Sequence, residues 1–260
     1  MRGKVSKGDE RRRRIMDIIK EKGAVSIAEI MERFGCSEVT ARRDLNILAE
    51  TESIIRTIGG AHYETQTGHE ASFSDKERLL WDEKTKIAEK AASLVEEGDI
   101  VGLTGGTTTF LIARALKAAS NITVVTNAVN IAMELAGSDR IQTVLTGGVM
   151  RVNSFELCGP LAETIVERLH IGKMFVGIDG FSIEQGLTTY SELEAGIDKL
   201  MIKRAKETYA VFDHTKVNKS SLFTIVPIAD ITGCITDRPL GEPVEAHLRG
   251  FGKAIHYAWA

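Results

Sequence analysis

Cysteine is scarce. The three present, Cys36, Cys158 and Cys234, stand far apart with no CxxC pair, which argues against a disulfide framework and against a zinc site, so buried thiols and no metal or cofactor are expected. Long apolar runs are missing too. None approaches the about 20 residues that a membrane span needs, and the N-terminus is charged where a signal peptide would be apolar, so a cytoplasmic protein without membrane contact is expected. Strong net charge is also lacking, at −3 overall, and with 43% hydrophobic and 27% charged residues the chain has the makings of a packed core rather than disorder. At 260 residues it is long enough for one small and one medium domain.

The near-neutral total hides a segregation. Residues 1–62 carry 13 Lys and Arg against 10 Asp and Glu, leaving 20 against 26 for the remainder. A basic small end on an acidic body suits a head that meets nucleic acid.

Within that head, Ile15, Ile18 and Ile19 recur at helical spacing beside the run Arg11 to Arg14, and Gly23 ends the pattern, giving a helix over 10–22. A short extended link follows. Ser26 then caps a second helix over 27–34, with Ile27, Ile30, Met31 and Phe34 as its apolar stripe, and Gly35 breaks it. Ser37 caps a third, reaching about Ala49, in which Ala41, Leu45 and Leu48 face inward and Thr40, Arg43 and Asn46 outward. Two short helices joined by a glycine turn, the second with such a polar face, is what insertion into the major groove requires. Residues 53–60, β-branched around the lone Arg56 and ending in glycines, read as a β-wing beside the phosphate backbone, with Arg56 at its tip or flank. Helix periodicity alone leaves open a plain three-helix bundle with solvated arginines.

The run Arg11, Ile15, Ile19 and then Ser37-Glu38-Val39-Thr40-Ala41-Arg42-Arg43-Asp44-Leu45 resembles the signature of the DeoR family of bacterial regulators, including the spacing between its halves. The resemblance implies a winged helix-turn-helix binding double-stranded operator DNA. The DNA-facing set is then Arg11, Ser37, Thr40, Arg42, Arg43, Asn46 and Arg56, with base contacts assigned to Thr40 and Arg43, and Asp44 as a salt-bridge partner that orients Arg42 or Arg43.

The head is taken as residues 1–63 and a polar, aperiodic linker as 64–75, leaving 76–260 for the body. It opens on a helix over 76–94 interrupted near Trp81, then alternates apolar strand-like runs (100–103, 122–125, 142–145, 174–178, 208–212, 222–226, 233–235) with helical stretches (108–117, 129–136, 161–169, 191–206). That alternation specifies an α/β domain with a largely parallel sheet, whose ligands bind at the carboxyl ends of the strands. Thr104-Gly105-Gly106-Thr107-Thr108-Thr109 supplies glycines, amides and hydroxyls at a helix N-terminus, a seat for phosphate. Other strand ends carry Thr126-Asn127, Thr146-Gly147-Gly148, residues 177–180 and Asp213-His214-Thr215-Lys216, with Glu194 on a helix after Thr188-Thr189. Each has a plainer use: a turn at Asp179, a helix cap at Asn127, a solvated charge at Lys216.

Together these resemble the DeoR-family sensor domain, similar in fold to ribose-5-phosphate isomerase. The likeness implies that Gly106, Thr107 and Thr108 hold the phosphate of a sugar effector while Asn127, Glu194, Asp213 and Lys216 surround its hydroxyls. Arg151, Thr104, Gly105 and Gly148 complete the set. One departure matters: the family usually writes an aspartate and a small residue before Gly-Thr-Thr, and here Thr104 and Gly105 stand there. A carboxylate is missing from that strand end, which bears on the effector's identity.

The expected function is a repressor of sugar-metabolism genes relieved by a phosphorylated sugar, working as a homo-oligomer, dimer or tetramer, because winged heads bind half-sites in pairs. Two other readings stay open. Glu194, Asp213 and Lys216 could serve an isomerase-like enzyme with a DNA-binding head, or the body could merely oligomerise a DNA-binding protein that has no effector.

Overall fold

In the computed structural model, residues 7–22, 24–51, 54–57, 59–63, 70–77 and 79–259 are described. The chain forms two compact units, Met1–Trp81 and Asp82–Ala260. Among the described residues no helix is long and apolar enough to cross a membrane.

The first unit runs α1 (Lys7–Lys22), β1 (Ala24–Ser26), α2 (Ile27–Phe34), α3 (Glu38–Thr51), β2 (Ile54–Thr57), β3 (Gly60–Tyr63) and α4 (Phe73–Glu77). Ser26 caps α2 by accepting from Glu29 N–H at 3.0 Å, and Gly35 ends it in the left-handed region at φ 59°. Ile15, Ile18, Ile19, Ile27, Ile30, Ala41, Leu45 and Leu48 meet in one core with Val25, Ile54 and Ala61. Met31, expected in the α2 stripe, is instead exposed at the edge of that face. The wing is a three-stranded sheet in the order β1-β3-β2, antiparallel throughout. A Cβ at Gly60 would lie 2.1 Å from the Val25 carbonyl oxygen, so the pairing of β1 with β3 requires glycine there. The helix stop at Gly23, the wing positions Ser53 and Ile58, and linker residues 64–69 lie outside the described residues.

α5 (Trp81–Ala92) starts at the last residue of the first unit, and the second continues β4 (Ile100–Leu103), α6 (Thr107–Leu116), β5 (Ile122–Thr126), α7 (Val129–Leu135), β6 (Ile141–Leu145), β7 (Val149–Met150), β8 (Leu157–Cys158), α8 (Pro160–Val166) and β9 (Ile171–Gly177). Then come β10 (Gly180–Ser182), β11 (Gly186–Thr189), α9 (Glu192–Lys203), β12 (Ala205–Val211), β13 (Phe223–Val226), β14 (Gly233–Thr236), α10 (Glu242–Gly250) and β15 (Ala254–Tyr257). Seven strands form one sheet in the order β15-β14-β12-β9-β4-β5-β6, every pair parallel. The strand expected over 222–226 is not part of it. As β13 it pairs antiparallel with β11 in the small sheet β10-β11-β13. From β4 the chain steps outward through β5 to β6, then returns to β9 on the other side of β4 and steps the opposite way. The order therefore reverses between β4 and β9, which opens a crevice at their carboxyl ends.

Candidate functional site

On the first unit, α3 is set in place by a buried charge. Asp44, 2% exposed, accepts from Arg11 Nε at 2.5 Å and Arg12 Nη1 at 3.1 Å. This corrects the expected role of Asp44: its partners are on α1, not Arg42 or Arg43, because it lies on the inward side of α3. Arg11, expected to face DNA, sits at that junction, tying α1 to α3. Arg42 pairs with Glu38 one turn earlier at 2.6 Å. Ser37 Oγ lies 2.9 Å from Thr40 Oγ1 and accepts from Thr40 N–H at 3.3 Å, capping α3. Arg43 and Asn46 are exposed on the same helix. Arg56 lies on β2 opposite Ala61, one pair from the end of the ladder, on the wing's flank.

On the second unit, the strand ends at the β4/β9 reversal carry the polar residues. Gly106 caps α6 at φ 125° and, lacking a side chain, makes no cap bond to the amides of the first helical turn. Thr107 and Thr108 are buried there, and Thr109 Oγ1 is turned back onto the Gly106 carbonyl at 2.9 Å. Thr104, 1% exposed, spends its hydroxyl on the frame: it accepts from Gly177 N–H at 3.0 Å and approaches the Gly105 carbonyl at 3.3 Å, fastening β4 to β9.

The carboxyl absent from that strand end comes from elsewhere. Glu156, on the turn between β7 and β8, accepts from Gly105 N–H at 2.9 Å and from Asn127 Nδ2 at 3.1 Å. Its backbone is fixed on both sides, with Arg151 N–H on the Glu156 carbonyl at 2.8 Å and Leu157 N–H on the Asn127 carbonyl at 2.7 Å. Its carboxyl also faces that of Glu194. Burial and then the charge and hydrogen bond of Glu194 push Glu156 up to about 8, against the bonds from Gly105 and Asn127, which favour its charged form. Asp198, fully buried beside the same group, is raised by burial first and then by Glu156, Glu194 and Asp179.

From Glu194 the network continues. Ser191 caps α9 and presents Glu194, 5% exposed, in close contact with Arg151. Thr189 Oγ1 lies 3.1 Å from Glu194 Oε2 and 3.3 Å from Asp179 Oδ2, donating to one at a time. Asp179 in turn stands 3.8 Å from Lys216 Nζ. Asp213 accepts from both the amide and the hydroxyl of Thr215. Burial raises its carboxyl most, but Lys216, Lys84 and Thr215 together outweigh that and hold it below its ordinary value. Thr104, Gly105, Asn127, Arg151, Glu194, Asp213 and Lys216 are thus joined in one polar seam beside the α6 cradle.

Gly148 has a packing reason of its own: at φ 122°, any Cβ would lie 2.8 Å from the Cys158 carbonyl oxygen. Cys158 and Cys234 are buried, while Cys36 is only half-buried. Sequence reading did not single out Glu156 or Asp198. The signal was the Gly105-Gly106 pair: only Gly106 takes a positive φ, so Gly105 needed another explanation, and that is the Glu156 side chain lying against it.

Residues 11–67 match the DeoR-like helix-turn-helix domain and residues 81–238 the DeoR C terminal sensor domain. The chain is 32% identical over 246 residues to the transcriptional regulator GlpR of Haloferax volcanii, covering 95% of this chain and 96% of that one. It is 34% identical over 233 residues to the transcriptional repressor GlcR of Bacillus subtilis, 88% of each chain, and 31% identical over 236 residues to IolR of the same organism, 91% and 94%. Among solved structures, ribose 5-phosphate isomerase A from Methanocaldococcus jannaschii aligns over 52% of this chain and 54% of its own, with TM-score 0.40 and 19% identity.

Proposed function

Since the chain belongs to the DeoR family of helix-turn-helix transcriptional regulators, we propose that it is a repressor of sugar-metabolism genes that binds operator DNA through α3 and the wing and is released by a phosphorylated sugar. Its relatives over most of its length are regulators, and it is one of them rather than an enzyme. Residues 1–63 act as the head, 64–75 as linker and 76–260 as sensor, in a cytoplasmic dimer or larger homo-oligomer. Thr40 and Arg43 read base edges, with Asn46 beside them. Arg42, Ser37 and Arg56 face the backbone, and Arg11 steadies the helix from behind.

The observation that supports the effector half is the α6 N-terminus, capped by a glycine that makes no side-chain cap bond and lined by two buried threonines, at the point where the sheet order reverses. A helix end of this kind favours an anion. The seam from Glu156 to Lys216 offers the acceptors and donors that a polyol needs. Melting the full-length protein against sugar phosphates and their unphosphorylated counterparts tests this. A ligand at 100 times its dissociation constant stabilises by about 2.7 kcal/mol, and the shift is expected only with phosphate present and to vanish in Thr107→Ala. No shift with any sugar phosphate would remove the effector and leave a regulator governed by DNA alone.

A further inference from the structure

Gly105 and Glu156 are 51 residues apart in sequence and occupy one another's space. A Cβ built at position 105 would lie 2.2 Å from Glu156 Cγ and 2.3 Å from its Cδ, although the backbone there is outside the positive-φ region and any residue could adopt it. The glycine therefore serves the side chain opposite, not the turn. Through that gap Glu156 reaches the junction between the phosphate cradle and the hydroxyl-binding seam, where one oxygen is held by Gly105 N–H and Asn127 Nδ2 and the carboxyl meets Glu194. Glu194 is fixed from behind by Arg151 and Thr189. Beside them the side-chain oxygen Oδ1 of Asn127, a residue 0% exposed, has no hydrogen-bond partner among the described residues.

We propose that Glu156 is a specificity-determining residue of the sensor, and that the Glu156–Glu194 contact is the place where a hydroxyl group of the effector inserts. The idea rests on the sugar-phosphate reading above and deepens it. An acid hydrogen-bonded to a carboxylate is one donor facing one acceptor. A single alcohol, which accepts once and donates once, can enter between them and satisfy both. A deoxy carbon does neither, and an ether cannot donate, so each would leave a buried polar group unpaired. An ammonium has no lone pair to accept from the acid. The contact therefore selects a neutral hydroxyl on the part of the ligand that extends from the phosphate toward α9.

The test is titration calorimetry on the full-length protein with ribose 5-phosphate, fructose 6-phosphate, glycerol 3-phosphate and inorganic phosphate, in wild type, Glu156→Ala, Gly105→Ala and the double variant. Inorganic phosphate probes the cradle alone. For each organic phosphate that binds wild type, Glu156→Ala is expected to weaken binding about tenfold or more, while inorganic phosphate is unchanged or tighter, the Gly105 amide being freed. Gly105→Ala, whose methyl would displace the Glu156 side chain, should likewise weaken the organic phosphates, and the double variant should bind them no worse than Glu156→Ala, since both remove one contact. In Glu156→Ala, parallel loss of organic and inorganic phosphate or no loss, and in the double variant additive losses, would each overturn the proposal while leaving the sensor reading intact. Failure of all four probes to bind wild type would take both down together.

Discussion

At the scale of single residues, the fate of one proton can be predicted. Glu156 is raised to about 8 in the folded protein by burial and by Glu194, against an ordinary glutamic acid value near 4.3 when unfolded. The folded state thus holds a proton that the unfolded chain releases from about pH 4.3 upward, and stability conferred by this group is lost as pH rises toward 8. Asp198, raised for similar reasons, acts in the same direction. In Glu156→Gln the amide keeps a donor toward Glu194 and an acceptor toward Gly105 and Asn127 but has no proton to lose. Its melting temperature relative to wild type should therefore climb between pH 5 and 8, and a constant difference over that range would show that Glu156 is ionised throughout. Sequence placed the cradle and Asn127 at strand ends, because ligand-binding positions in a parallel sheet follow from where each apolar run stops, and Glu194 on the helix that follows Thr188-Thr189. It could not place Glu156, since the partnership with Gly105 exists only once β7 and β8 fold back over the ends of β4 and β5.

At the scale of elements, the recognition helix depends on two features that differ greatly in weight. The exposed Glu38–Arg42 pair on α3, with both side chains near half exposure, is the kind worth a few tenths of a kcal/mol. Asp44 is buried under Arg11 and Arg12, and removing one partner of such a group typically costs about 3 kcal/mol. Asp44→Ala should accordingly speed amide exchange throughout α1–α3 and abolish operator binding, whereas Arg43→Ala should leave exchange untouched and relax base preference. If Asp44→Ala exchanged like wild type, the tie between α1 and α3 would not be what holds the recognition helix. In the wing, Gly60→Ala drives a Cβ to 2.1 Å from the Val25 carbonyl. It should separate β3 from β1 and weaken DNA binding with effector titrations unchanged. The three helices were legible because apolar spacing, Ser26 and Gly35 all agreed on the same limits. β1 was legible only as an extended link and β3 not at all, being three and four residues long with too few positions to display a period. Strand 222–226 was legible as a strand but not in its place, because β-branched composition carries no information about which sheet receives it.

For the whole molecule, regulation requires the head and the sensor to share one equilibrium, and thermodynamics then fixes a relation between two separate measurements. If effector lowers operator affinity by a factor, operator must lower effector affinity by the same factor. A coupling of about 1–3 kcal/mol, usual for such systems, corresponds to about 5- to 150-fold. The acidic balance of residues 63–260 against the basic head adds a second handle. Phosphate contacts by the head make DNA affinity fall steeply with salt, while a ligand held in a buried seam responds far less. The operator's dissociation constant, read by fluorescence anisotropy with and without saturating sugar phosphate, should therefore fall steeply and in parallel on a log scale as salt is reduced, with the ratio of the two nearly salt-independent. Calorimetric titration of the sugar phosphate into free and operator-bound protein should return that same ratio. Equal ratios by both routes, levelling off at saturating sugar phosphate, would show that operator and effector bind one protein at separate, coupled sites. A ratio that keeps growing with sugar phosphate, with no binding to operator-bound protein, would mean competition at the DNA-binding surface; a large ratio in the first titration with none in the second would mean that the sugar phosphate acts on the DNA. In either case the seam beside α6 is not the regulatory site.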